Sequence, residues 1–348
     1  MKSVKLKYSK SQIDKAGETL KGNSLKDEID QSLEILSNWR SYHAMPLDTF
    51  AKVLRERVGK ISGLDNTIVA QRLKRTPSIL LKLKKHKTMR LSTMQDIGGL
   101  RAVFNDIRNV DSLVDLYVKS KSRHTLFAVH DYISNPKKDG YRSVHLVYKL
   151  NRTPAIFIEI QVRSYLQHIW ATGVEVFGTL KNSSFKSGYG SREWLDFFSL
   201  LSSVFAVKEN SPTVDVHKSF TKKQLLTKVS KMIQKLKVIE QLSVYTTLYK
   251  ITLGEHKNGR RGHYSLVLLN SHDNTISVKT FSSGKIEDAT NLYLEMEKKY
   301  FNDININVVL VNSGDIQKLE ASYPNYFMDT KVLVENLSKI VIGSFLGN

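Results

Sequence analysis

The chain has 348 residues, 41% of them hydrophobic, and 53 Lys+Arg against 33 Asp+Glu give it a formal net charge of +20. That length allows two domains with substantial cores, and so one-sided a charge points to phosphate-rich partners. The lack of cysteine excludes disulfides, Cys-ligated zinc and thiol catalysis. No apolar run could span a bilayer and the N-terminus has no signal-peptide core, so the reading is a cytoplasmic protein with no membrane partner.

Residues 8–61 read as helical, with Ser11 as an N-cap and Leu20, Ile29, Leu33, Ile35 and Leu36 near helical spacing. A second helical stretch is expected over 65–86. It contains QRLKRTPSILLKLKK (71–85), which places Arg72, Lys74, Ser78 and Lys82 along a helix. Lys74, Ser78 and Lys82 are four apart and would share one face, able to bind a chain of phosphates or simply to be solvated. Strand-like runs follow: LRAVF, TLFAVHDYI, SVHLVYKL and AIFIEIQVR, with 110–121 as a crossover helix and further helices at 164–180 and 192–208. Together they describe a mixed α/β catalytic domain with helices packed against a sheet.

ENSPTVDV (209–216) reads as a linker or sharp connection. Beyond it, Leu225, Leu226, Val229, Met232, Ile233, Leu236, Ile239 and Leu242 form an apolar stripe on a long basic helix. Strands are expected at 243–253, 263–269, 275–281 and 305–312, with a helix at 285–300 and a last helical segment. The domain boundaries are therefore 1–215 for the catalytic part and 216–348 for a small α+β unit.

Three segments in the first part carry chemistry. DIGGLRAVF (96–104) offers Asp96 and, after a glycine pair, Arg101, whose guanidinium could stack on an adenine or pair with a carboxylate. IFIEIQVRSYLQHIW (156–170) sets Glu159 among apolar neighbours, where a carboxylate needs a partner such as a cation. Mg²⁺ is commonly held by one or two carboxylates plus substrate phosphates, so Asp96 and Glu159 are the metal-ligand candidates. Between them, DYISNPKKDGYRSVH (131–145) is a basic, glycine-turned loop presenting Tyr141, suited to stacking on a base, beside Lys137, Lys138, Arg142 and His145. Neither a Walker A sequence nor a nucleophile elbow is present.

In order, RLKRTPSILLK, DIGGLR, DGYRSVH and EIQVRS followed by HIWA resemble the synthetase domain of the RelA/SpoT family over roughly residues 50–180. The resemblance implies a nucleotidyltransferase-like fold with a mixed sheet flanked by helices. It also implies transfer of the β,γ-pyrophosphate of ATP to a ribose 3′-OH, usually of GDP or GTP, with Mg²⁺ as cofactor. By position, Arg72 and Arg101 would sandwich the ATP adenine, and Lys74, Ser78 and Lys82 would hold its phosphates. Asp96 and Glu159 would bind the metal, Glu159 also activating the hydroxyl. Tyr141 would stack on the acceptor base, with Lys137 and His145 near the acceptor. Members of the family often have Asn where this chain has Asp139, which weakens the case for a guanosine acceptor.

The whole chain, with its YSKSQIDKAGETL opening and its C-terminal YPNYF, is similar to CapRel, a group of fused toxin–antitoxin proteins of anti-phage defence. That similarity implies a toxic half that pyrophosphorylates the 3′-terminal adenosine of the tRNA CCA end. It implies a C-terminal zinc-finger-like domain lacking zinc ligands, an autoinhibitory motif at Tyr323 and Tyr326, and a phage structural (capsid-type) protein as activator. The alternative is a (p)ppGpp synthetase with a regulatory C-terminal domain.

Overall fold

The computed structural model describes residues 4–22, 25–64, 67–180, 185, 190–239, 242, 264–270, 275–301, 303, 306–312 and 331–346. They form two compact units, interleaved along the chain.

The first unit takes in residues 1–102, 108–130 and 145–162. Its N-terminal helical region is three helices, α1 (Lys10–Thr19), α2 (Lys26–Tyr42) and α3 (Ala44–Ser62). The first cap is Ser9 rather than Ser11: Ser9 Oγ accepts from Gln12 N, and Gln12 Oε1 accepts from Ser9 N, a reciprocal capping box. The expected helix at 65–86 is instead a strand, β1 (Thr67–Leu73), followed by α4 (Thr76–Lys85). β-branched Thr67, Ile68 and Val69 favour the strand, and Pro77, in the first turn of α4, sets where the helix can begin. Arg72 therefore lies on β1 and Lys74 in the connection after it; only Ser78 and Lys82 share the helix.

Next come β2 (Gly98–Phe104), α5 (Ile107–Lys119), β3 (Thr125–Asp131), β4 (Val144–Lys149) and β5 (Phe157–Ser164), as the alternating apolar runs predict. The five strands make one sheet in the order β1-β2-β5-β4-β3, so the last strand inserts between β2 and β4. This places the segments bearing Arg72, Arg101 and Glu159 on three successive strands. At Gly98 a Cβ would lie 2.6 Å from Ile158 Cδ1, so a larger residue there would have to displace that methyl of β5.

The second unit takes in 103–107, 131–144 and 163–348. Helices α6 (Tyr165–Leu180), α7 (Arg192–Lys208), α8 (Lys222–Lys235) and α10 (Lys331–Val341) share one apolar core, including Trp170, Phe177, Phe198, Val229 and Leu337. The expected long basic helix ends at Lys235, and Lys237 takes a positive φ of 48°. Segment 209–216 is a sharp connection: Ser211 N donates to Ala206 O, and a short 3-10 turn covers Asp215–His217. The C-terminal part contains an antiparallel sheet, β7-β6-β8, of β6 (Tyr264–Asn270), β7 (Thr275–Phe281) and β8 (Ile306–Asn312). Helix α9 (Ile286–Lys299) buries Tyr293 in one cluster with Leu266 and Val308 of that sheet. The strand expected at 243–253, with Tyr323 and Tyr326, lies outside the described residues.

Candidate active site

In the first unit the β1–α4 connection is held from α2. Arg40, buried, donates from Nε to Lys74 O (2.9 Å) and from Nη1 to Thr76 Oγ1 (3.0 Å). Lys74 N donates to Ile97 O at 2.7 Å, tying the connection to the residue after Asp96. Lys74 Nζ then lies 3.0 Å from Asp96 Oδ2, and Lys82 Nζ, from α4, lies 2.9 Å from Oδ1. Burial pushes the Asp96 pKa up, but the two ammonium groups more than reverse this and hold it below the ordinary value. At Lys74 burial wins, lowering its pKa against the pull of Asp96. Both lysines expected to hold phosphates thus converge on one candidate metal ligand. Ser78 is half-buried, one turn ahead of Lys82 on α4.

Glu159 sits on β5 between fully buried Ile158 and Ile160. His145 Nδ1 lies 2.9 Å from its Oε1, and Gln161 Nε2 donates to its Oε2 at 2.7 Å. With an ionised carboxylate, the His145 contact requires a proton on Nδ1. Burial raises the Glu159 pKa and the Asp96 charge adds to that, yet the bonds from His145 and Gln161 with the His145 charge leave it lowered. His145, expected beside the acceptor, therefore grips the catalytic candidate. Gln161 and Arg40 were not read as site residues. Gln161 was legible, since the two-residue strand period puts it on the face of Glu159. Arg40 could be seen only as a charge beside apolar Leu36 and Trp39.

The Tyr141 loop belongs to the second unit. Gly140 N donates to Lys137 O (2.8 Å), closing a turn, and Gly140 has φ 93°. A Cβ there would lie 2.7 Å from Ser202 Cβ and 3.2 Å from the Ser199 Cα of α7. Two serines pin the loop to that helix: Ser199 Oγ donates to Lys138 O (3.1 Å) and Ser202 Oγ to Gly140 O (2.6 Å). Arg142, buried, donates from Nε to Ser202 Oγ (2.9 Å) and from Nη1 to Ile133 O (3.2 Å). Burial lowers its pKa to about 10. Asp139 Oδ1 accepts from Tyr141 N at 2.9 Å, an Asx turn that Asn would make equally well. Lys137 Nζ stands 4.3 Å from the Tyr132 ring centroid and 5.1 Å from that of Tyr141. Tyr132, which sequence reading passed over, meets Tyr141 edge-on at 6.0 Å.

The donor set fits a divalent cation. Asp96 and Glu159 are both ionised, and close enough for the charge of one to shift the pKa of the other. No group of three or more His, Cys, Asp or Glu suited to a metal occurs among the described residues, so phosphates and water would complete the shell.

Residues 71–183 match the family model described as the region found in RelA/SpoT proteins. The chain thus carries a segment similar to the region found in RelA/SpoT proteins. That region takes in Arg72, Lys74, Asp96, Tyr141 and Glu159. Similarity to curated proteins covers only part of the chain. The Mycobacterium tuberculosis protein Rv1366 is 29% identical over 157 residues, 44% of this chain and 55% of that protein. GTP pyrophosphokinase YwaC of Bacillus subtilis is 26% identical over 164 residues, 41% of this chain and 76% of that protein. GTP pyrophosphokinase YjbM of the same organism is 33% identical over 111 residues, 30% and 52%. The chain thus spans about half the length of the mycobacterial relative. Among solved structures, small alarmone synthetase 1 of B. subtilis bound to pppGpp aligns with a TM-score of 0.41 at 23% identity, covering 49% of this chain and 93% of that one. No helix among the described residues is long and apolar enough to cross a membrane.

Proposed function

We propose that the RelA/SpoT domain is an ATP-dependent pyrophosphokinase acting on a ribose 3′-OH. The observation that carries this is the pairing of two ionised carboxylates, Asp96 held by Lys74 and Lys82, and Glu159 held by His145 and Gln161. The lysines that pair with Asp96, Lys74 and Lys82, would turn to the phosphates of ATP, with Ser78 on the same helix as Lys82. Arg72 and Arg101 would flank the adenine from neighbouring strands. Glu159 would take the proton of the attacking hydroxyl. The 3′ oxygen would then bond to the β-phosphorus as the bond to the α–β bridging oxygen breaks, releasing AMP. Asp96 and Glu159 would hold Mg²⁺, which would disperse charge on the transferred phosphates. Tyr141 would stack on the acceptor base, with Lys137 at the acceptor's phosphate.

For the acceptor we propose the 3′-terminal adenosine of the tRNA CCA end. The +20 net charge supports it, because a long polyanion is best held by an extended basic surface. GDP or GTP is the second reading, favoured by the two Bacillus relatives being GTP pyrophosphokinases. In the finer proposal the C-terminal part is a zinc-finger-like antitoxin and sensor without zinc ligands. Tyr323 and Tyr326 would block the ATP site until a phage structural protein binds the open state more tightly. The test supplies γ-labelled ATP and Mg²⁺ to the Tyr323→Ala/Tyr326→Ala protein, with total tRNA and GDP/GTP as separate acceptors. Label on the tRNA 3′ end supports the toxin reading. Label on guanosine nucleotides alone replaces it with alarmone synthesis, and no transfer to either refutes the activity.

A further inference from the structure

Toward the other end of β4 from His145, where Tyr148 stands about 10 Å along the strand, the first unit holds a cleft of two adjoining lobes, about 300 Å³ and about 150 Å³. The lobes share Thr49, Phe50, Arg123 and His124. One wall is a run of rings: His124 stacks on Phe50 at 5.6 Å, Phe50 meets Tyr148 edge-on at 5.5 Å, and Tyr148 meets Tyr117 at 5.9 Å. Three guanidiniums line it, Arg123 and Arg152 in the larger lobe and Arg57 and Arg123 in the smaller. No carboxylate lines either lobe, and none is ion-paired with these arginines among the described residues. Glu56, which precedes Arg57 in the chain, is bound by Lys60 at 2.7 Å.

Two buried atoms here lack a protein hydrogen-bond partner: Arg57 Nη1 and the Tyr117 hydroxyl oxygen. Arg57 lies over the Tyr117 ring at 4.1 Å, and both residues line the smaller lobe. Burial, then Arg123 and Arg152, lowers the His124 pKa, so the ring adds a neutral surface to an otherwise cationic rim. Clustered cations beside the stacked, half-buried rings of Phe50 and His124, backed by the buried rings of Tyr148 and Tyr117, call for a ligand with several negative charges and a planar apolar part.

We propose that this cleft is a second nucleotide site, in which Arg57, Arg123 and Arg152 hold phosphate and the stacked pair Phe50 and His124 holds the base. A volume of about 300 Å³ is at the small end of ligand sites and suits one nucleotide. The nucleotide is either free or one residue of an RNA strand; the chemistry recognised is the same. The site shares no residue with the proposed catalytic groups, so it stands or falls independently of the pyrophosphokinase reading.

The experiment photolabels the full chain with 8-azido-ATP or 8-azido-GTP in one arm and with a 4-thiouridine-bearing RNA oligonucleotide in the other, followed by peptide mapping. Label is expected on peptides containing Phe50 or His124. It should fall about tenfold or more in Arg123→Ala/Arg152→Ala, as expected for losing charge-assisted bonds. Arg123 is exposed and Arg152 half-buried, so the variant should fold, and Phe50→Leu tests the ring wall separately. Labelling by the free nucleotides identifies a free ligand; labelling by the oligonucleotide alone identifies RNA. Label confined to peptides bearing Arg72, Lys74 or Tyr141, or unchanged by the double substitution, overturns the proposal. Label on those catalytic peptides in the double variant reports separately on the ATP site.

Discussion

Gly140→Ala should cripple acceptor use while sparing ATP binding. Gly140 has φ 93°, where an L side chain costs about 1–2 kcal/mol. Its Cβ would stand 2.7 Å from Ser202 Cβ and 3.2 Å from a backbone atom of α7, and relieving such overpacking costs about 1–3 kcal/mol. Ser202 cannot give way cheaply, because its hydroxyl both donates to Gly140 O and accepts from buried Arg142. A combined cost of about 3 kcal/mol corresponds to a Tm lower by roughly 6–12 °C for a unit of this size. If the loop instead detaches from α7, Tyr141 loses its position and the acceptor KM rises. The assays are thermal unfolding and initial rates with acceptor and ATP varied in turn. A Tm within about 1 °C of the parent together with an unchanged acceptor KM would refute the idea that α7 sets the loop.

Glu159→Gln should keep the fold and lose at least about a hundredfold in transfer rate, since the amide cannot take a proton; a rate within threefold of the parent removes Glu159 from the chemistry. Stability should fall with acid below about pH 6.5 through His43. Burial lowers its pKa to about 4, with Nδ1 on Trp39 O at 2.8 Å and Nε2 buried without a partner. Between pH 6.5 and 4 the unfolded chain binds the proton that folded His43 refuses, so roughly 3 kcal/mol is lost as pH falls through that window. His43→Gln should flatten that part of the Tm–pH curve, and an unaltered slope would place the effect elsewhere. Asp96 and Glu159 act lower still. Their folded pKa values are depressed, so their stabilisation is present above the ordinary carboxylate range and goes as pH drops through the folded values. Tyr323→Ala or Tyr326→Ala should raise transfer activity and arrest growth of an expressing host; normal growth at confirmed expression counts against an inhibitory role.

Much was decided by local chemistry. Alternating apolar runs locate β2 to β5, because a half-buried strand must alternate. The stripe of Leu225, Val229 and Ile233 locates α8, since those positions share one helical face. The glycine at 140 marks a turn no other residue could make as readily, and a lone Glu159 among isoleucines announces a carboxylate that needs partners. What failed also has a cause. Residues 71–85 are rich in Lys and Arg and read as one basic helix; β-branched Thr67, Ile68 and Val69, together with pairing to β2 at the sheet edge, make 67–73 a strand. The partners of Asp96 and Glu159 come from elsewhere in the chain: Lys74 is 22 positions from Asp96, and His145 is 14 from Glu159. Residue types and motif order fall within reach of sequence, because they follow from local propensity and chemical need. Which lysine meets which carboxylate was set by the strand order, since only the folded sheet brings such distant positions within a hydrogen bond.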